Sequence, residues 1–168
     1  MTTKNSALIT NFEAEPQVQN KVYQLHGRKR VAQGTLELAT TDLDASDIVM
    51  LAPLPTGASI TSIQLAADDL DSNATPTLAW NLGLYDTEGT AVDADCYATA
   101  ITLGQAATAL TEYRNEVADI NTIGQQLWED GGVTADPGGL YYVALTASAG
   151  AATAAAGTLS FIIEYVID

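Results

Sequence analysis

The chain has 168 residues, 47% of them apolar, and sets 21 acids against six Lys and Arg for a net charge of −15. A single domain of this length buries about 70% of the surface its unfolded chain exposes, so it needs no covalent staple, and its one cysteine, Cys96, excludes an internal disulfide framework and a thiolate zinc site. No apolar run reaches the roughly 18 residues that span a membrane, and the N-terminus MTTKNSALITNFEAEPQ lacks the apolar core of a secretory signal, which predicts synthesis and retention in a cytosol.

Residues 1–20 are polar, with Leu8, Ile9, Phe12 and Val18 scattered at no clear period. They read as an extended arm, covering residues 1–27, that orders against a partner. The single body domain then runs from 28 to 168. Its first segment, 28–39, places Arg30, Ala32, Gly34, Leu36 and Leu38 on one face and Lys29, Val31, Gln33, Thr35 and Glu37 on the other, which predicts a strand. The run DIVMLA (47–52) is a second strand, ended by Pro53 and Pro55. ASITSIQLA (58–66) is β-like in composition although its alternation is imperfect. LAWNLGLY (78–85) alternates cleanly, with Leu78, Trp80, Leu82 and Leu84 facing inward.

DTEG (86–89) reads as a turn before a strand over 95–102, and 111–117 as another short strand. Ile120, Ile123 and Leu127 fall at helical spacing, with Asp119 placed to cap and Gly131-Gly132 to stop a short helix. DPGG (136–139) is a turn. LYYVALTAS (140–148) and GTLSFIIEYV (157–166) are the last strands, and GAATAAAG (150–157) between them reads as a flexible hairpin connection. Eight or nine strands with one short helix predict an all-β protein: a jelly-roll-like antiparallel β-sandwich carrying an extended N-terminal arm.

Charge is divided unevenly along this plan. Residues 1–30 carry a net +3, whereas residues 31–168 carry −18 with Arg114 as their only base. Such a body repels phosphate backbones, so nucleic acid is not expected as a partner of it. The run Arg28-Lys29-Arg30 at the junction is then a partner anchor or a guard on an exposed strand edge. We take the partner anchor, and with Phe12 of the arm these are the candidate partner-binding residues.

Catalytic chemistry is not visible. The only histidine, His26, lies beside the basic run, and no GxSxG elbow, phosphate-cradling Gly loop or metal-spaced His/Cys set is present. Three acidic groups (Asp42, Asp44 and Asp47; Asp68, Asp69 and Asp71; Asp86, Glu88, Asp93 and Asp95) read as turn formers rather than calcium ligands, since none matches an EF-hand loop. Trp80, Trp128, Tyr97, Tyr141 and Tyr142 are candidates for stacking on sugars, with core packing the simpler role for both tryptophans. No enzyme, cofactor or metal is expected.

The segments RKRVAQGTLELATTDLDASDIVMLAPLPTGASITSIQLAADDL (28–70), NLGLYDTEGTAVDADCYATAI (81–101), LWEDGGVTADPGGLYYVALT (127–146) and GTLSFIIEYV (157–166) together resemble the capsid cement or decoration proteins of tailed bacteriophages, which are small β-sandwich virion proteins. These are framework features and carry no catalytic signature. The resemblance implies a structural protein on the outer capsid surface, made in the host cytoplasm, that bridges subunits of the major capsid protein. It also implies a homotrimer. The alternative is a carbohydrate- or receptor-binding sandwich on a virion surface or fibre.

Overall fold

The computed structural model describes residues 4–20, 25, 27–114 and 122–167. The arm carries helix α1 (Ala7–Glu13). The body follows with eight strands, β1 (Lys29–Leu38), β2 (Ile48–Pro55), β3 (Ser59–Ala67), β4 (Ala79–Tyr85), β5 (Ala91–Ile101), β6 (Thr108–Glu112), β7 (Leu140–Ala149) and β8 (Gly157–Val166), and a one-turn helix α2 (Leu127–Asp130) between β6 and β7.

The strands form two four-stranded antiparallel sheets, β1-β8-β3-β6 and β2-β7-β4-β5. First pairs with last, second with seventh, third with sixth and fourth with fifth. The chain is therefore one long hairpin rolled into a sandwich, which is the jelly-roll topology expected above. Between the sheets lies one apolar core, in which Leu54, Ile60, Ile63, Leu65, Leu78, Trp80, Leu82, Leu84, Val143, Leu145, Leu159 and Ile163 are buried.

Local sequence accounts for most of the strands. In β1 the residues at 32, 34, 36 and 38 point inward, as the alternation required. Gly34 sits opposite Phe161, whose ring lies 2.8 Å from where a Cβ would stand, so any larger residue would push the ring aside. The imperfect alternation of β3 has a structural cause: its pairing with β8 shifts between Ile60 and Ser62, so Ile60 and Ile63 both face the core.

Several readings are corrected, among them the strand expected over 111–117, which runs over Thr108–Glu112. Strand β2 does not stop at Pro53 but runs through Pro55, because it is an edge strand and proline's missing N–H is tolerated on the unpaired side. Strand β5 begins at Ala91, four residues before the expected start, and passes so close over β4 that a Cβ on Gly83 would stand 2.2 Å from the Asp93 carbonyl oxygen. The segment 150–156 is no flexible hairpin, since β7 and β8 belong to different sheets. It is a crossover, pinned by Ala151 N–H to the Leu43 carbonyl and Ala155 N–H to the Leu70 carbonyl, each at 2.9 Å.

The helix near α2 is also shorter than its spacing implied. Leu127 is buried, but Ile123 is exposed in the preceding turn. Asp119 and Ile120 lie outside the described residues. The arm, conversely, holds more local structure than its irregular pattern announced, as α1 shows.

Candidate functional site

The outer faces of the two sheets differ in chemistry. On β1 and β8 the outward side chains hydrogen-bond one another across the strands: Thr35 with Ser160 at 3.0 Å, Thr158 Oγ1 to Glu37 at 3.0 Å, and Lys29 Nζ to Glu164 Oε2 at 2.6 Å. On β2 and the first part of β7 most outward side chains are apolar, whereas Thr146 and Ser148 further along β7 are polar. Ile48, Met50, Pro53 and Leu140 are exposed, and Tyr142, which pairs with Pro53, is half-buried. Met50, Leu51, Ala52, Pro53 and Tyr142 line a shallow groove of about 280 Å³. A second groove, of about 320 Å³, runs where β1 and β2 meet, between Leu36 and Leu38 on one side and Ile48 and Met50 on the other, and carries the acids Glu37, Asp42 and Asp47.

The basic triplet sits at the root of β1, the free edge of its sheet. All three side chains are exposed. Lys29 and Arg30 point to opposite faces, and Lys29 spends its charge on Glu164, a surface ion pair of small net value. Arg28 and Arg30 are thus the part of the triplet suited to an outside partner. Phe12 is 63% exposed on α1, which buries none of its residues. The four candidates therefore occupy two separate elements, the arm helix and the β1 root. His26 lies outside the described residues.

Sequence reasoning missed the β2–β7 stripe. Its signal was present: DIVMLAPLP is apolar at both parities, so one of its faces must be apolar on the outside unless something covers it. The prolines, which exclude a central strand, marked it as an edge.

The acids of the turns mostly serve the backbone. The carboxylate of Asp42 accepts from Ala39 N–H at 2.9 Å, that of Asp47 from Asp44 N–H at 2.8 Å, and that of Asp86 from Glu88 and Thr90 N–H at 2.9 and 2.8 Å. Asp71 is buried and accepts from Thr77, Leu78, Ala152 and Thr153 N–H at 2.7 to 3.1 Å, tying the loop after β3 to the β7–β8 crossover. Burial pushes its pKa up, but these backbone donors outweigh it and hold the carboxyl well below the usual range. Among the described residues no three His, Cys, Asp or Glu side chains are placed to share a metal ion.

A second charged cluster is interior. Arg114 is fully buried, with Nε donating to the Ile60 carbonyl at 2.8 Å and Nη2 lying 3.8 Å from Asp130 Oδ2. The Tyr97 hydroxyl donates to the same oxygen at 2.9 Å, and the guanidinium stands 5.8 Å from the Tyr97 ring centre. Burial pushes the Asp130 carboxyl up to about 6 despite both partners. Burial, followed by Asp93 and Asp130, also drives the Cys96 thiol far up, which disfavours the thiolate a nucleophile needs. Together these groups clamp α2 and the segment after β6 onto the sandwich.

The tryptophans bear on sugar stacking. Trp80 is fully buried, its Nε1 donating to the Leu103 carbonyl at 3.1 Å, and Trp128 is half-buried, with Nε1 on Gln126 Oε1 at 2.9 Å. Tyr97 and Tyr141 are buried as well. Of the five aromatic candidates, Tyr142 and Trp128 alone retain open surface.

No family model matches the chain, and no curated protein does. Solved structures do. A chain of the Cyanophage Pam1 capsid asymmetric unit superposes over 100% of both chains with a TM-score of 0.59 and 23% identity. A chain of the capsid of Ralstonia phage GP4 covers 83% of this chain and 85% of its own, with a TM-score of 0.61 and 24% identity. At these identities the likeness is one of fold: this protein has the sandwich found in chains of two phage capsid structures.

Proposed function

We propose that this chain is a structural virion protein of a tailed phage, a cement protein that binds the outer capsid surface and bridges subunits of the major capsid protein. The observation that carries the reading is the full-length likeness to a chain of a phage capsid asymmetric unit. The division of charge supports it: residues 31–168, at −18, are unsuited to face packaged DNA and suited to face solvent. Each bridge adds free energy only in the assembled shell, so many weak contacts raise its resistance to internal pressure by mass action. In this reading the chain is no enzyme, uses no cofactor, binds neither nucleic acid nor membrane, and acts as a homotrimer after synthesis in the host cytoplasm.

The anchor in this proposal is the β1 root, where Arg28 and Arg30 meet an acidic patch of the shell, with the arm and Phe12 beside them. The experiment is a copy count by mass spectrometry on purified particles, followed by heating of particles with and without the chain. Many copies per particle and earlier opening of stripped particles are expected, and a few copies confined to the tail would overturn the reading. Changing Arg28, Lys29 and Arg30 together to Gln is expected to weaken attachment and its salt dependence while leaving the melting temperature of the body unchanged.

A further inference from the structure

Four strands form the edges of the two sheets: β1 and β6 in one, β2 and β5 in the other. An open edge recruits further strands unless something blunts it, and three of the four are blunted. β2 carries Pro53 and Pro55 and a bulge between Met50 and Ala52. β5 shifts register three times against β4, and β6 is five residues long. β1 has none of these devices. It runs for ten residues and pairs with β8 without a break, and no strand among the described residues pairs with its outer side. We propose that β1 of one copy pairs antiparallel with β1 of a second copy, about a twofold axis at Gln33, so that two four-stranded sheets become one of eight. The inference deepens the proposed reading by giving the basic root its acidic partner, and it rests on that reading for its place on the shell.

The outward side chains of the strand select this register. Lys29, Val31, Gln33, Thr35 and Glu37 are all exposed, and read in reverse they complement themselves. With Gln33 opposite Gln33, Lys29 stands opposite Glu37 and Val31 opposite Thr35, each pair occurring twice. Directly opposed side chains of an antiparallel pair have Cβ atoms about 5 Å apart. A cation therefore meets a carboxylate at both ends, two β-branched residues pack, and two amides hydrogen-bond at the centre. Sliding by two residues either way sets Lys29 against Thr35 or Ala39 and loses both ion pairs. Within its own chain Lys29 already holds Glu164 at 2.6 Å, and Glu37 accepts from Thr158 Oγ1 at 3.0 Å. An ammonium has further donors and a carboxylate further lone pairs, so each can take the second partner as well.

The other face of the strand agrees. In the same register Arg28 and Arg30 stand opposite Leu38 and Leu36 of the second copy, on the side that opens into the groove lined by Leu36, Leu38, Asp42 and Asp47. The whole basic triplet thereby meets the acids of the other copy. Charges guard an edge against a second copy when like meets like, and in this pairing unlike charges meet. The net charge of −15 on each copy opposes approach, but at physiological ionic strength that repulsion is screened beyond about 8 Å, whereas the pairs along the seam are in contact. A twofold contact closes on two copies, so it joins one proposed trimer to the next instead of building the trimer.

The test uses the full chain with Cys96→Ala and one new cysteine on the exposed face of β1, oxidised in solution at equal concentrations. At the twofold the two Gln33 Cα atoms would stand about 4.5–5.5 Å apart, within disulfide reach. Gln33→Cys is therefore expected to form a covalent dimer about tenfold or more faster than Thr35→Cys, whose two copies would lie about 13 Å apart along the seam. Mixing Val31→Cys with Thr35→Cys is expected to yield chiefly the dimer holding one of each. A Gln33→Cys chain that links no faster than Thr35→Cys overturns the twofold at Gln33, and a mixture with no excess of the mixed dimer overturns the antiparallel register. The copy count on particles is read separately. Linked dimers with few copies per particle keep this contact and discard the cement reading, and many copies without the link do the reverse.

Discussion

Asp71 and Asp130 are both carboxylates held inside the same sandwich, and their environments drive them in opposite directions. Asp71 gathers backbone N–H groups at 2.7 to 3.1 Å from two chain segments about 75 residues apart, 77–78 and 152–153, and stays ionised. Asp130 has one phenol at 2.9 Å and a guanidinium at 3.8 Å, and burial prevails. Burial alone therefore does not set the sign of a pKa shift. The number and distance of the donors aimed at the carboxylate do. Asp71 acts as a knot between loops, while Asp130 is one arm of a clamp whose strength varies with pH.

That contrast can be broken most forcefully at Arg114. Arg114→Met removes the cation beside Asp130 and the donors to the Ile60 and Thr122 carbonyls, and is expected to cost about 3–5 kcal/mol at pH 7 by urea unfolding. The loss is expected to shrink at pH 5, where Asp130 takes up a proton. A cost equal at both pH values would separate Asp130 from the clamp.

Asp71→Ala leaves the four N–H groups of the knot without their acceptor, and the expected loss is about 2–4 kcal/mol. Amide exchange at Ala152 and Thr153 is expected to speed up together with that at Thr77. Asp71→Asn, which keeps one acceptor oxygen, is expected to recover part of the stability. If exchange accelerates on one loop alone, the knot does not join them.

The opposed shifts also predict opposed limbs in a profile of melting temperature against pH. Asp71 has a lowered pKa in the folded state, so its contribution is present above about pH 4 and is lost as the pH falls below that value. Asp130 has a raised one, so between roughly pH 4 and 6 the folded state keeps a proton that the unfolded chain has released, and stability declines as the pH rises. Asp130→Asn is expected to flatten the upper limb and leave the acid limb in place. The smallest effect is expected for Tyr97→Phe, about 1 kcal/mol at pH 7, with a steeper upper limb because Asp130 loses a donor to its charged form.

Much of the framework was legible in the residues. Clean alternation located β1 and β4 to within a residue, and the runs at 140–148 and 157–166 located β7 and β8. Where reading failed, the cause was a contact distant in sequence. A bulge in β3 scrambled its alternation, the edge position of β2 let it pass two prolines, and the crossover at 150–156 read as slack because its restraint is the carboxylate of Asp71. Of the candidate site, the triplet was found at an exposed strand root, as its charges suggested, but the pairing of Lys29 with Glu164, 135 residues later, was not readable.

The positions and inward faces of β1, β4, β7 and β8 were set by the sequence alone, because a period of two is a local property of an extended chain with one side in oil and one in water. So were the acidic body and the basic root, which are sums over composition. Only the tertiary structure decided which of the turn acids is a knot, and that Arg114, the one base of residues 31–168, is buried beside Asp130. It also decided that the apolar excess of DIVMLAPLP lies in the open on an edge strand. Each of these depends on which segments pair across the sandwich, and pairing joins residues whose separation no local pattern records.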